Sequence, residues 1–324
     1  MSLRPLDKRG RQKILAISGG VGGAKLALGL SRVLDPGQLT VVANTADDFQ
    51  HLGLHISPDL DTVMYTLAGL NNQQQGWGLA GETWQCLESL QRLGAETWFQ
   101  LGDRDIATHL SRSQLLREGF SLAEVTSRLC QQLGVKPRLL PMTDDPVQTR
   151  VLCDEGELSF QHYFVREQCQ PRVRGFRFEG IESARPQTEL ISLLSSGELA
   201  AVIICPSNPF VSVDPVLQLP GLRAALLASD CPIVAVSPIV GGKAIKGPAA
   251  KMLSELGFDV TATAVARHYQ GLVNTFVLDQ GDATLADEIA GAGMDVLVAP
   301  TIMSTLQDRE RLAGQLLDSL QGEH

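Results

Sequence analysis

No stretch of this 324-residue chain approaches the ~18–20 consecutive apolar residues that cross a bilayer. Its longest apolar run, LAAVIIC at 199–205, has the length of a buried strand. A secretory signal is not expected either: after a basic opening, ILAIS breaks into GGVGG well short of the ~7–15 apolar residues of an h-region. The opening instead predicts a disordered basic tail over residues 1–12. The six cysteines are scattered, form no Cys-x-x-Cys pair and flank no histidine at ligand spacing. That argues against zinc sites and disulfide frameworks and predicts free thiols in a reducing cytoplasm. Positive charge is also short, 27 Lys and Arg against 36 Asp and Glu, for a net of −9. The first thirteen residues hold five of the positive charges and one negative, which leaves 22 against 35, or −13, for the rest. Such a surface excludes broad, sequence-independent binding to nucleic acid or to an anionic membrane. No internal repeat, low-complexity segment or long linker interrupts the chain.

What is there is an ordinary globular balance, 44% apolar and 19% charged. KILAIS (13–18) and LTVVAN (39–44) read as buried strands around the helical AKLALGLSRVL (24–34), a βαβ unit that implies a parallel sheet. AAVIIC (200–205), PIVAVS (232–237), NTFVLD (274–279) and VLVAP (296–300) form a second strand series. Between the two series, residues 62–135 carry helical patterns without convincing strands. There Ser121 and Glu124 are spaced as a capping box and Gly134 as a stop. TRVLC (149–153) and LSFQHYFV (158–165) then read as a β-hairpin. The predicted fold class is α/β, a Rossmann-like three-layer core with a parallel sheet. It spans 13–61 and 186–324, with a mostly helical insertion subdomain at 62–185.

SGGVGGAKL (18–26) follows the first strand and opens the first helix. Gly19, Gly20, Gly22 and Gly23 let backbone approach a ligand, free N–H groups face an anion, and Lys25 adds a point charge suited to phosphate. A tight turn alone would use the same glycines. The pattern lacks the Gly-Lys-Ser/Thr of a Walker A, and Lys25 occupies the third glycine position of a dinucleotide fingerprint. Asp47, Asp48, Asp59 and Asp61 cluster just past the second strand, where they either hold magnesium beside a diphosphate or cap a helix. LGDRDIATH (101–109) gathers Asp103, Arg104, Asp105 and His109, with His109 open as a base, a ligand contact or a surface imidazole. Two more strand-end turns, CPSNPF (205–210) and SPIVGGKAIKGPA (237–249), offer groups suited to a base or ribose and, at Gly241, Gly242, Lys243 and Lys246, to phosphate. Three such turns at strand ends predict a nucleotide crevice.

Taken in order, GGVGGAKL, NTADDF, SPDLDTVMYTLAG, LGDRDIATH, LLPMTDDPVQT, PSNPF and AVSPIVGGKAIKGPA resemble the CofD family over residues 14–315. That family comprises 2-phospho-L-lactate transferases of deazaflavin coenzyme F-420 biosynthesis. Val21 stands where threonine is usual and Ala46 where glycine is usual, so Ala46 tests whether that backbone needs positive φ. The resemblance implies attack by the ribityl hydroxyl of the deazaflavin FO on the phosphorus bearing a lactyl, enolpyruvyl or glyceryl group in a guanosine diphosphate diester, with GMP leaving. It implies Asp48 and Asp61 as catalytic residues and ligands of Mg2+, and the 18–25 loop as diphosphate cradle. Ser207 and Asn208, with Ser237, Gly241, Gly242 and Lys243, would hold the guanosine side, and Asp61, Gln100, Asp103, Thr143 and Asp144 would contact FO. A cytoplasmic homodimer is implied as well. The rival readings are a sugar-nucleotide-binding regulator of the gluconeogenesis-factor type, against which SPDLDT and LGDRDIATH speak, and a nicotinamide-dependent dehydrogenase, disfavoured by the broken fingerprint.

Overall fold

In the computed structural model, which describes residues 5–321, strand β1 (Lys13–Ser18) sits near the middle of a seven-stranded sheet. Its neighbours are β2 (Leu39–Ala43) and β9 (Leu199–Ile204), both parallel to it. All six residues of β9 are buried, as a strand covered on both faces must be. Beyond β9 lie β10 (Ile233–Val236), β13 (Thr275–Asp279) and β14 (Asp295–Ala299), again parallel. Every strand of the two expected series is present within a residue or two.

The seventh strand, β5 (Arg138–Pro141), pairs in parallel with β2 at the opposite edge. It comes from inside the segment expected to be an insertion, so the core borrows a strand from 62–185. A four-residue strand at a sheet edge carries too little apolar pattern to be seen in sequence.

Helix α1 (Gly20–Val33) packs on one face of the sheet, burying Ala24, Leu26, Ala27 and Leu30. It crosses the C-terminal helix Leu306–Gln321 so closely that a Cβ on Gly29 would overlap the Arg309 carbonyl. Helix α2 (Pro58–Leu67) lies beside α1, entered through the short hairpin of β3 (Phe49–His51) and β4 (Leu54–Ile56). After it come α3 (Gln85–Arg92), α4 (Asp103–Arg117) and α5 (Leu122–Gln132). The expected capping box is present: Ser121 Oγ accepts from Glu124 N–H at 3.2 Å, and Glu124 Oε2 accepts from Ser121 N–H at 2.8 Å.

The expected β-hairpin is β6 (Gln148–Cys153) with β7 (Gly156–Ser159), and β8 (Val173–Glu179) adds a third strand on the far side of β6. The second arm stops at Ser159, because the chain then coils into a helical turn, His162–Arg166, that buries Tyr163. The small hairpin of β11 (Ile239–Val240) and β12 (Lys243–Ala244) stands past β10.

The expectation of a disordered tail needs correction for residues 5–12. Leu6 is buried, its N–H donates to the Arg11 carbonyl, and both Arg9 and Arg11 pair with Asp230. Residues 1–4 lie outside the described part. No single helix among the described residues is long and apolar enough to cross a membrane.

Candidate active site

A cleft of about 620 Å³ opens over the C-terminal ends of β1, β2, β9 and β10, with α2, α4 and the aromatic loops of the 62–185 segment as its other wall. The Gly-rich loop forms its floor. Gly20, at φ +61, needs the absence of a side chain, and its N–H donates to Asp59 Oδ1 at 2.8 Å. The other three glycines serve the protein's own packing. A Cβ on Gly19 would lie 2.6 Å from Ser212 Cβ, one on Gly23 2.6 Å from Ser207 Oγ, and one on Gly22 would strike the Pro206 carbonyl. Ser207 locks this contact by accepting from Gly19 N–H (3.1 Å) and donating to Gly19 O (2.8 Å).

Lys25 lines the cleft and donates to Met303 O at 2.9 Å. Burial lowers its proton affinity, with nearby Arg309 and Lys246 adding to the effect. An anion beside it would reverse that. Lys246 lines the same end and reaches toward Gln75 O at 3.5 Å across the mouth.

Asp47 and Asp59 form the acidic part. Asp59 Oδ2 accepts from Asn44 Nδ2 at 3.1 Å, and the same amide reaches Val211 O. Burial raises the Asp59 carboxyl to about 6. Asp47 is pushed further in the same direction, by burial first and then by Asp59, and its Oδ1 is buried without a hydrogen-bond partner. Two buried carboxylates, each pushed up first by desolvation, are the condition a divalent cation relieves. Among the described residues no group of three or more His, Cys, Asp and Glu is arranged to hold a metal.

Of the two carboxylates expected as metal ligands and catalytic residues, the structure brings only Asp61 to the cleft, and that one is engaged. Arg112, 1% exposed, clamps it with both terminal nitrogens, Nη1 at 3.0 Å from Oδ2 and Nη2 on Oδ1. Asp48 does not line the cleft; its Oδ2 accepts from Ser57 Oγ at 2.7 Å and lies 3.1 Å from His55 Nε2. Asp47 and Asp59, also considered as candidates in sequence, line the cleft beside Asp61. Asp47 and Asp48 are neighbours in a turn, and sequence cannot say which of the two faces the cleft.

Ser207, Asn208 and Ser237 line the cleft, as does Gln100. Gly241, Gly242 and Lys243 do not: they make the exposed turn of the β11–β12 hairpin, with Gly241 N–H donating to Asp282. Three expected FO contacts are likewise committed elsewhere. Asp103 caps α3, accepting from Gln85 and Cys86 N–H and from Thr83 Oγ1. Asp144 accepts from Ala123 N–H at the start of α5. Thr143 is buried, donates to Arg185 O and accepts from Asp145 N–H. Val21 lines the floor, and Ala46 is absent from the positive-φ residues, so its backbone is one that alanine adopts freely.

Sequence reasoning missed Arg112 and the aromatic wall of Trp77, Trp98, Phe99, Phe160 and Phe164. Phe99 packs edge-on against Phe49 at 4.9 Å, and Trp98 edge-on against His162 at 4.8 Å. For Arg112 a signal existed: Asp105, His109 and Arg112 share one face of α4 at i, i+4 and i+7.

Fold and cleft together define a Rossmann-like α/β protein with a cleft at its strand ends, under a cover built from residues between its two strand series. A family model described as 2-phospho-L-lactate transferase CofD matches residues 14–299. The chain belongs to this CofD family of transferases. Curated relatives called phosphoenolpyruvate transferase include one of Streptomyces griseus, 39% identical over 312 residues, covering 94% of this chain and 98% of that protein. Another, of Mycobacterium ulcerans, is 41% identical over 310 residues and covers 90% and 94%. A crystal structure of a UPF0052-family protein of Bacillus halodurans matches at TM-score 0.60 with 15% identity, over 96% of this chain and 98% of that one, a likeness of fold.

Proposed function

We propose that this protein transfers a phosphoenolpyruvyl-type group from a guanosine diphosphate diester to the ribityl hydroxyl of FO during coenzyme F-420 biosynthesis. The hydroxyl oxygen bonds to the phosphorus that carries the small acid. The bond from that phosphorus to the bridging oxygen breaks, GMP departs with that oxygen, and the hydroxyl proton is released. Family membership supports the reaction class, and the names of the relatives favour enolpyruvyl over lactyl or glyceryl.

The observation that carries the reading is one continuous cleft with three chemically distinct parts. Lys25, Lys246 and the loop at 19–22 suit the phosphates, and Ser207, Asn208 and Ser237 suit the nucleoside. The aromatic wall suits a flat tricyclic ring such as deazaflavin. Asp47 and Asp59 fit magnesium: one oxygen is orphaned, both carboxyls are starved of positive charge, and two carboxylates plus substrate phosphates are a usual set for that ion. Magnesium bound there would neutralise the diphosphate. The protein's remaining task is to align hydroxyl, phosphorus and leaving oxygen while excluding water.

The test is a donor panel. FO, magnesium and guanosine diphosphate diesters of enolpyruvate, lactate and glycerate are incubated with the protein and read by mass spectrometry. GMP and a phosphodiester product should form, fastest with the enolpyruvyl donor. Absence of product from all three donors overturns the reading.

A further inference from the structure

His109 is 1% exposed yet lines the cleft. Arg112 Nη1 donates to its Nδ1 at 3.3 Å. Guanidinium can only donate, so Nδ1 is the acceptor and the ring's hydrogen sits on Nε2. That Nε2 is buried and has no hydrogen-bond partner. The nearest carboxylate oxygen, Asp105 Oδ1, is 3.4 Å away and already accepts from Tyr65 OH at 2.6 Å. A buried donor without an acceptor, on a side chain that lines a cleft, is a group that a ligand can satisfy.

Beside the imidazole stand carboxylate oxygens of Asp61, 3.7 Å away, and Asp105. Acceptors interleaved with a fixed donor match a chain of neighbouring hydroxyls, each of which both donates and accepts. A phosphate would meet two carboxylates there and be repelled. On the transferase reading above, the ligand with such a chain is the acceptor.

We propose that His109 recognises the polyol chain of the acceptor, its Nε2–H donating to a hydroxyl oxygen, and that Arg112 is the positioning residue behind it. Arg112 fixes the tautomer and holds Asp61 in the same contact, without reaching the ligand itself.

Deazaflavin fluorescence titrations measure FO binding to the full chain, with GDP binding measured in parallel. His109→Leu should weaken FO binding about 10–100-fold and leave GDP within about 3-fold. His109→Gln puts its amide nitrogen near the place of Nε2 and should retain most of the FO affinity. His109→Asn puts its amide near Nδ1 and should lose FO binding as the leucine variant does. Arg112→Lys, which cannot hold Asp61 and His109 together, should raise the KM for FO more than it lowers kcat. FO affinity unchanged in His109→Leu, or glutamine and asparagine variants that bind FO equally, overturns the proposal. If the leucine variant fails to fold, the glutamine and asparagine pair decides. A wild-type protein that binds FO but turns over no donor overturns the transferase reading alone. One that turns over normally while His109→Leu keeps its KM for FO overturns this inference alone.

Discussion

At the residue scale, the Gly-rich loop and the acidic cluster each combine two demands. Gly19, Gly22 and Gly23 let α1 sit against the 205–213 segment, and only Gly20 needs its backbone freedom. Gly22→Ala should therefore destabilise by about 1–3 kcal/mol or more, because the Pro206 carbonyl is backbone and cannot rotate away. Chemical denaturation read by circular dichroism measures this. For Asp47 the sign is opposite. Its raised carboxyl costs nothing below the unfolded value near 4, where both states are protonated, and costs progressively more as pH rises. Asp47→Asn should thus stabilise the metal-free protein by about 0.5–2 kcal/mol at pH 7.5. The gain should vanish near pH 4 and grow as pH rises above it. A gain independent of pH would rule out this origin. The same variant should lose transfer activity.

At the element scale, α4 shows why some site residues were legible and others were not. LGDRDIATH stood out in sequence as a charged cluster, but its members part company once the helix forms. Asp103 and Glu82 exchange caps: Asp103 receives the first N–H groups of α3, and Glu82 those of α4 through Arg104 and Asp105. One face then carries Asp105, His109 and Arg112 toward α2. An acidic residue before a helix reads the same whether it caps or binds, and that ambiguity swallowed Asp103 and Asp144. Arg112 escaped notice because its partner Asp61 lies 51 residues away. Arg112→Ala, which leaves a buried carboxylate uncompensated, should cost about 3–5 kcal/mol. Arg112→Met with Asp61→Leu should recover most of that loss, and a thermal melt of the two variants side by side measures it.

At the scale of the whole molecule, the cleft exists because the chain leaves the core after β2 and returns to it. Lys25 on α1 meets Met303 beyond β14, and Lys246 beyond β12 reaches Gln75 on the opposite wall. Ligands that join these walls should stabilise the fold. GDP with magnesium at about 100 times Kd should add about 2.7 kcal/mol. GDP with a chelator should add less, and in Asp47→Asn the magnesium-dependent part should disappear. Scanning calorimetry in the four conditions separates these. The far end of the sheet has its own tie, in Leu6 and the Arg9 and Arg11 pairs with Asp230.

Local chemistry determined a good deal. Apolar runs marked the parallel core strands, because strands buried in the middle of the sheet, such as β9, are apolar on both faces. The capping box fixed the start of α5, since its bonds span only three residues. Seven ordered motifs marked the family. Tertiary structure alone decided that β5 joins the main sheet, that Asp47, Asp59 and Asp61 line the cleft while Asp48 does not, and that Arg112 stands behind His109. Each of these depends on which groups meet across tens or hundreds of residues, and on which of two adjacent side chains faces inward. Composition had presented an acidic protein as a poor host for a diphosphate. In the folded chain Lys25 and Lys246 share one cleft with the buried carboxylates Asp47 and Asp59, an arrangement that on the proposed function would let a divalent cation and the lysines together meet a diphosphate.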